Sequence, residues 1–103
     1  MFLAIKKFAG IKNPETFAKK IESGLLPEIK NYTGFVAYYA VKFENGEHGG
    51  VGVFDSKANL ETAIEQSGSW MKKNLSDVVS KEPEVIKGEV LFDAKGKTLA
   101  TSA

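Results

Sequence analysis

Apolar side chains occupy both faces of the β-strands that this sequence predicts. Successive side chains of a strand point to opposite faces. In a sheet with one face in water, every second side chain of a strand should therefore be polar. In residues 35–43, however, one set reads Phe, Ala, Tyr, Val, Phe and the other reads Val, Tyr, Ala, Lys. The predicted strands at residues 2–8 and 85–92 are also substantially apolar on both faces. The sheet must therefore be covered on both sides.

Capping residues predict a first helix over residues 14–23. Asn13 is a good N-cap, and Pro14 suits the first helical position. Gly24 is expected to end this helix as a C-cap. An irregular segment is then expected over residues 25–33.

The second half of the chain predicts a hairpin, a longer helix and a last strand. Asn45-Gly46 suits a type I′ turn, and Asp55-Ser56 offers an N-cap for a second helix that runs to residue 79. The predicted strands are residues 2–8, 35–43, 48–55 and 85–92. The order βαββαβ is typical of a ferredoxin-like α+β fold, with a four-stranded antiparallel sheet and two helices on one face.

Two short helices can cover only one face of such a sheet. The other face would be a large apolar patch, which usually marks an interaction surface, so we expect a homodimer through the helix-free sheet face. The alternative is that the C-terminal tail, residues 94–103, or the segment 25–33 folds over this face. A short extra strand at residues 98–100 is one option for the tail. Residues 1–103 are predicted to form a single dimeric α+β barrel domain.

The composition excludes several kinds of site. The chain has no cysteine, which excludes disulfides, zinc–cysteine sites and iron–sulfur clusters. All 14 basic residues are lysines, so arginine, the usual bidentate ligand of phosphate and guanine, is absent. A net charge of +1 gives no general attraction to nucleic acid or anionic membranes. We expect a cytoplasmic protein with no metal, no cofactor, no nucleic-acid partner and no membrane contact.

Four stretches are arranged as in a known family. They are Leu26-Pro27 before Gly34-Phe35, residues 51–56 leading into the second helix, Trp70 before Leu75, and Pro83 before Gly88-Glu89-Val90. In their order and spacing the chain resembles the dimeric α+β barrel proteins grouped with the antibiotic-biosynthesis monooxygenases. The resemblance implies a ferredoxin-like homodimer with a cavity between each sheet and its helices. Some members oxidise polyphenolic or quinol-like substrates with dioxygen and no cofactor, others degrade haem, and many have no known activity.

The haem-degrading branch of that family is disfavoured. A resemblance to that branch would imply an Asn on the first strand, a Trp early in the second helix and a His near the end of that helix. Here the first strand has no Asn, Trp70 comes late in the helix, and no His follows it. The quinol-oxidising branch uses a looser set of Asn, Trp, Tyr and basic groups, in which Trp70 and Tyr38 or Tyr39 are candidates.

His48 and Glu89 are the candidate catalytic residues. His48 is the only histidine and is therefore the only side chain suited to proton transfer at neutral pH; the alternative is an exposed residue after the hairpin. Glu89 could act as a base if it were buried. Its alternative role is a pair with a lysine at the sheet edge.

Aromatic and amide side chains are the candidate ligand-binding residues. Trp70 either packs in the core or forms a wall on which a planar ligand stacks. Tyr38 and Tyr39 face opposite ways, so at most one lines a given cavity. Asn31 either contacts a ligand or caps a turn. Two functions follow: a cofactor-independent monooxygenase for a small aromatic or quinol-like substrate, or a non-catalytic small-ligand-binding or structural dimer.

Overall fold

A layer of helices lies on one face of an antiparallel sheet in residues 1–95, the part of the chain that this computed structural model describes. The elements are β1 (Phe2–Phe8), α1 (Pro14–Lys20), a π-helical turn (Ile21–Leu25), α2 (Leu26–Ile29), β2 (Phe35–Lys42), β3 (His48–Phe54), α3 (Lys57–Asn74) and β4 (Glu84–Glu89). The strands lie in the order β2-β3-β1-β4, and each neighbouring pair is antiparallel. The predicted ferredoxin-like α+β fold is confirmed.

The first helix begins where the sequence predicts and continues further than expected. The Asn13 side chain accepts a hydrogen bond from a backbone amide of the first turn (3.2 Å), and Pro14 occupies that turn. The predicted end at Gly24 is wrong. The prediction that residues 25–33 are irregular is also wrong for residues 25–29. Helical residues continue through the π-helical turn and α2 to Ile29.

Packing against α3 explains why Gly24 does not end the helix. The ring of Trp70 lies so close to Gly24 that a Cβ there would overlap it. The wide turn is closed by a bond from the Leu26 amide to the Ile21 carbonyl, which places Pro27 in the first turn of α2. The helical segment therefore passes Pro27 and continues to Ile29.

The turn between β2 and β3 differs from the predicted type I′ turn. The Phe43 amide donates to the Glu47 carbonyl (2.8 Å), and the Gly46 amide donates to the Phe43 carbonyl (2.9 Å). Gly46 has a φ of 91°, whereas Asn45 does not have a positive φ. A type I′ turn needs positive φ at both central residues. The loop is instead a three-residue hairpin with glycine in the left-handed position.

Two elements end earlier than predicted, each because the residues that follow make other contacts or lack a partner. α3 stops at Asn74 and not at residue 79, since Val79 forms an isolated β-bridge with Ile11. β4 stops at Glu89 because this residue pairs with Phe2, the first residue of β1. The short strand predicted for the C-terminal tail lies outside the described residues.

The hydrophobic core lies between the helices and one face of the sheet. One buried cluster includes Phe8, Phe17 and Leu25, and a second includes Ile29 and Phe54. Leu25 and Ile29 thus belong to the helix side of the sheet. The idea that segment 25–33 folds over the opposite face is therefore wrong, because its residues Leu25, Leu26 and Ile29 pack here.

The opposite face, called the helix-free face below, is apolar across all four strands. Two rows of paired residues define it: Tyr39, Val51, Ile5 and Ile86, and beside them Ala37, Val53, Leu3 and Gly88. Tyr39 is 61% exposed and Ile86 is 45% exposed. The prediction that both sheet faces are apolar is confirmed, and the helices cover only one of them.

Replacing Gly68 with alanine is expected to stabilise the protein by about 1 kcal/mol, because glycine in a helix interior is less favourable than alanine by that amount. A Cβ at Gly68 would meet no atom within 4 Å, so no clash offsets the gain. Urea unfolding of both proteins measures the change.

The matched control is Gly24→Ala in the π-helical turn. The new Cβ would overlap the Trp70 ring, so overpacking of about 1–3 kcal/mol should reverse the sign. Equal effects at Gly24 and Gly68 would contradict this account of the two glycines.

Candidate functional site

Among residues 1–95, the helix side of the sheet includes two sizeable cavities and one small gap. The first, called the hairpin cavity, has about 420 Å³ and lies between α1, the π-helical turn and the β2–β3 hairpin. The second, called the α3–β4 groove, has about 420 Å³ and lies between α3, β4 and the connection that joins them. The core gap beneath α3 has about 30 Å³, which admits water but no organic ligand.

Apolar side chains form most of the hairpin cavity. Its walls include Phe8, Phe17, Ile21 and Leu26. Polar groups also line it, namely Tyr38, His48, Lys19, Glu22 and Lys42. The volume lies within the range of about 300–1,000 Å³ that is usual for small-molecule sites, and apolar walls with few polar groups are typical of such sites.

The His48 ring lies among these apolar walls and has an unpaired nitrogen. It is the first residue of β3 and pairs with Phe8 of β1, which turns the imidazole toward the helices. The ring packs edge-on against Phe17, with centroids 5.8 Å apart. Its Nδ1 is buried without a hydrogen-bond partner in the described residues. A buried polar atom left unpaired costs about 1–3 kcal/mol, so a ligand hydroxyl at Nδ1 would remove an existing penalty.

Tyr38 lies on the helix side of the sheet, while Tyr39 lies on the helix-free face. The Tyr38 ring packs over Gly50, where a Cβ would overlap the tyrosine hydroxyl. Burial raises the pKa of Tyr38 to about 12, so its hydroxyl stays protonated at neutral pH and can donate a hydrogen bond. Tyr38 and His48 both line the hairpin cavity, so the fold brings together two candidates that are ten residues apart in sequence.

Lys6 is a polar residue of the interior that the sequence reasoning missed. Its Nζ donates a hydrogen bond to the Ser67 hydroxyl (3.2 Å) and lies 3.8 Å from the Met71 sulfur. Burial lowers the pKa of this amine. The alternation of the strand could have revealed it, because Lys6 points to the same face as Ala4 and Phe8, and those two side chains are buried in the core.

Trp70 lies away from the hairpin cavity. Its ring packs against Gly24 and borders a shallow depression that also includes Glu28 and Tyr32. The Tyr32 hydroxyl donates to the Glu28 carboxylate, and burial together with this bond raises the pKa of Tyr32. The tryptophan thus joins the two helices on their outer side.

Asn31 and Glu89 also lie apart from His48. The Asn31 amide donates to the Pro27 carbonyl (3.2 Å) at the end of α2, which is a helix-capping contact. Glu89 is exposed at the end of the edge strand β4. Of the six site candidates, the structure brings only Tyr38 and His48 to one cavity.

Residues 1–95 contain neither a metal-binding cluster nor a membrane-spanning helix. Within residues 1–95, no three His, Asp or Glu side chains come close enough to hold a metal ion. No helix in this part of the chain combines the length and apolar character needed to cross a bilayer.

The fold is shared with solved structures, although no protein-family model and no curated protein matches the sequence. The protein NE2512 of Nitrosomonas europaea, of unknown function, is 18% identical with a TM-score of 0.73, over 92% of this chain and 93% of that one. A variant of SnoaB, a cofactor-independent oxygenase of Streptomyces nogalater, is 13% identical with a TM-score of 0.70, over 89% and 94% of the two chains.

A third match has a bound ligand. The ActVA-Orf6 monooxygenase of Streptomyces coelicolor, in complex with nanaomycin D, is 14% identical with a TM-score of 0.69, over 93% of this chain and 92% of that one. At such low identities these likenesses show a common fold and not a common activity. The resemblance to the antibiotic-biosynthesis monooxygenases is confirmed at that level.

Proposed function

We propose that the chain is a cofactor-independent monooxygenase that binds a small hydroxylated aromatic compound in the hairpin cavity. The observation that carries this proposal is the His48 ring, which lines an apolar cavity of about 420 Å³ and has a buried Nδ1 without a partner in residues 1–95. The fold, shared with oxygenases such as SnoaB, supports the choice of reaction.

The walls of the cavity favour a flat, apolar ligand with one polar edge. The rings of Phe8 and Phe17 lie 5.2 Å apart in an edge-on arrangement, and aromatic rings favour such contacts with a further ring. A phenolic hydroxyl of the ligand would donate to the Nδ1 of His48. Tyr38 also lines the cavity and would contact the ligand ring.

Proton removal is the step that these residues would promote. A neutral imidazole nitrogen that accepts a hydrogen bond from the phenol can take its proton, and the resulting phenolate is more easily oxidised by dioxygen. For a simple phenol, the ring gains one oxygen atom and becomes a quinone, while the second oxygen atom leaves as water. The proton taken by His48 returns to that water, so the reaction balances without a cofactor.

A non-catalytic ligand-binding dimer is the second candidate function. The observation that favours it is the core gap of about 30 Å³, which shows that the interior beneath α3 is closely packed. His48 would then only bind a hydroxyl group. Such a protein should bind phenols without consuming oxygen.

Oxygen uptake with a panel of naphthols and hydroquinones tests the two functions. We expect uptake above the uncatalysed rate for at least one compound, with formation of a quinone that carries one added oxygen atom and with release of water. Isothermal titration calorimetry on the same panel measures binding separately. Binding without oxygen uptake would support the second function, and neither binding nor uptake would contradict both.

We also propose that the helix-free face pairs with the same face of a second copy, so that each single domain contributes half of a barrel. The rows of Tyr39, Val51, Ile5 and Ile86 and their neighbours support this arrangement, because a continuous apolar face is typical of an interface. The cytoplasmic location and the lack of a metal or cofactor stay predictions of the sequence.

A further inference from the structure

We propose that Lys6 is a reactive amine that condenses with a small carbonyl compound entering through the α3–β4 groove. This second site is separate from the hairpin cavity. It does not depend on the oxygenase activity proposed above.

The surroundings of Lys6 favour a neutral amine. Its cross-strand neighbours, Gly50 and Val85, carry no charge, and the hydrogen-bond partners of its Nζ within residues 1–95 are the neutral Ser67 and Met71 side chains. None of the ion pairs formed by residues 1–95 includes Lys6. Because a buried ammonium without a carboxylate is costly, the pKa of the amine is lowered, and a desolvated neutral lysine is a nucleophile.

The α3–β4 groove provides a path to this amine. The groove has about 420 Å³ and is lined by Lys6 together with Ile64, Met71, Leu75 and Val85. Gly68 also lines it and leaves open space where a side chain would stand. The charged residues of the groove are Lys72, Lys81 and Glu82. The apolar walls suit a small aromatic aldehyde.

The reaction forms an imine and releases water. The lone pair of the Lys6 nitrogen attacks the carbonyl carbon, and the carbonyl oxygen takes a proton from the nitrogen to give a carbinolamine. Loss of the hydroxyl group with the remaining nitrogen proton, as water, then forms the C=N bond. The Ser67 hydroxyl, 3.2 Å from Nζ, is placed to hold the nitrogen. No electrons are exchanged, so the step needs no oxidant.

Reductive trapping with benzaldehyde and cyanoborohydride at pH 7 tests the proposal. The hydride reduces the imine to a stable benzylamine, and peptide mass mapping reports how fast each lysine of the full chain is labelled. We expect Lys6 to be labelled about tenfold faster than the average lysine, a difference of about 1.4 kcal/mol in activation free energy. Even labelling across the lysines would overturn the proposal.

Three variants keep the test specific. Lys6→Met should remove the fast label, whereas Lys7→Met should retain it, because the Lys7 ammonium lies on the other face, 5.6 Å from the centre of the Phe43 ring. Gly68→Leu should slow the labelling of Lys6 by filling the groove without changing the amine. Unchanged labelling in Gly68→Leu would reject the groove as the entry path. Lys6→Met should retain any oxygen uptake, so failure of this inference stays separate from failure of the proposed function.

Discussion

Replacing His48 with phenylalanine is expected to lower the rate of oxygen uptake by about 10²- to 10⁴-fold, the usual contribution of a general base. Phenylalanine keeps a ring of similar size against Phe17 but has no nitrogen to accept the phenol proton. The same change removes a buried atom that has no hydrogen-bond partner. The free energy of unfolding should therefore stay equal or increase by about 1 kcal/mol. Oxygen-electrode rates and urea unfolding measure the two effects.

Two tyrosine variants provide the matched control for the site. Tyr38→Phe removes the hydroxyl of a residue that lines the hairpin cavity, whereas Tyr39→Phe removes one from the helix-free face. The first should reduce the rate and the second should leave it unchanged. A His48→Phe protein that consumes oxygen at the original rate would contradict the base role of His48.

The apolar character of both sheet faces was predictable, because the alternation of side chains along a strand depends only on neighbouring residues. Ile5, Val51 and Tyr39 each occupy the position in their strands that alternation requires, and pairing then aligns them in one row. Alternation predicts that Phe35 lies on the same face as Ala37 and Tyr39, but the structure places Phe35 on the helix side of the sheet. The pairing shifts between Phe35 and Ala37, and such a bulge reverses the parity on one side of it. A bulge has no reliable signal in a single sequence.

The first helix was predicted too short because tertiary packing overrides local signals. Gly24 followed by Pro27 is a common pattern for the end of a helix, and nothing nearby in sequence contradicts it. The deciding contact comes from Trp70, which is distant along the chain. The same contact explains why Trp70 does not reach the cavity between sheet and helices.

The candidate site was predictable in part. His48 was found because it is the only histidine, but its unpaired nitrogen depends on packing against Phe17. Lys6 was missed because it is one of 14 lysines and its burial depends on α3. Residue rarity can be read from a sequence, whereas the partners of a buried polar atom require the fold.

Replacing Val51 with lysine is expected to convert a dimer into a monomer. Val51 lies in the middle of the helix-free face, between Ile5 and Tyr39. In a dimer, two like charges would be buried without partners, and a cost of about 4 kcal/mol raises the dissociation constant about 10³-fold. In a monomer, the lysine can reach water from this face. Light scattering across micromolar concentrations measures the change in mass.

Ala58→Lys is the matched control for this prediction. Ala58 is exposed on α3, so the same charge is added on the side of the molecule opposite the proposed interface, and the dimer should persist. A dimer that survives Val51→Lys would place the interface elsewhere. A wild-type chain that is monomeric at all concentrations would contradict the pairing of two sheets. In that case, removing residues 94–103 should create a dimer if the C-terminal tail is what covers the face, because the truncation would expose the apolar rows that the tail protects.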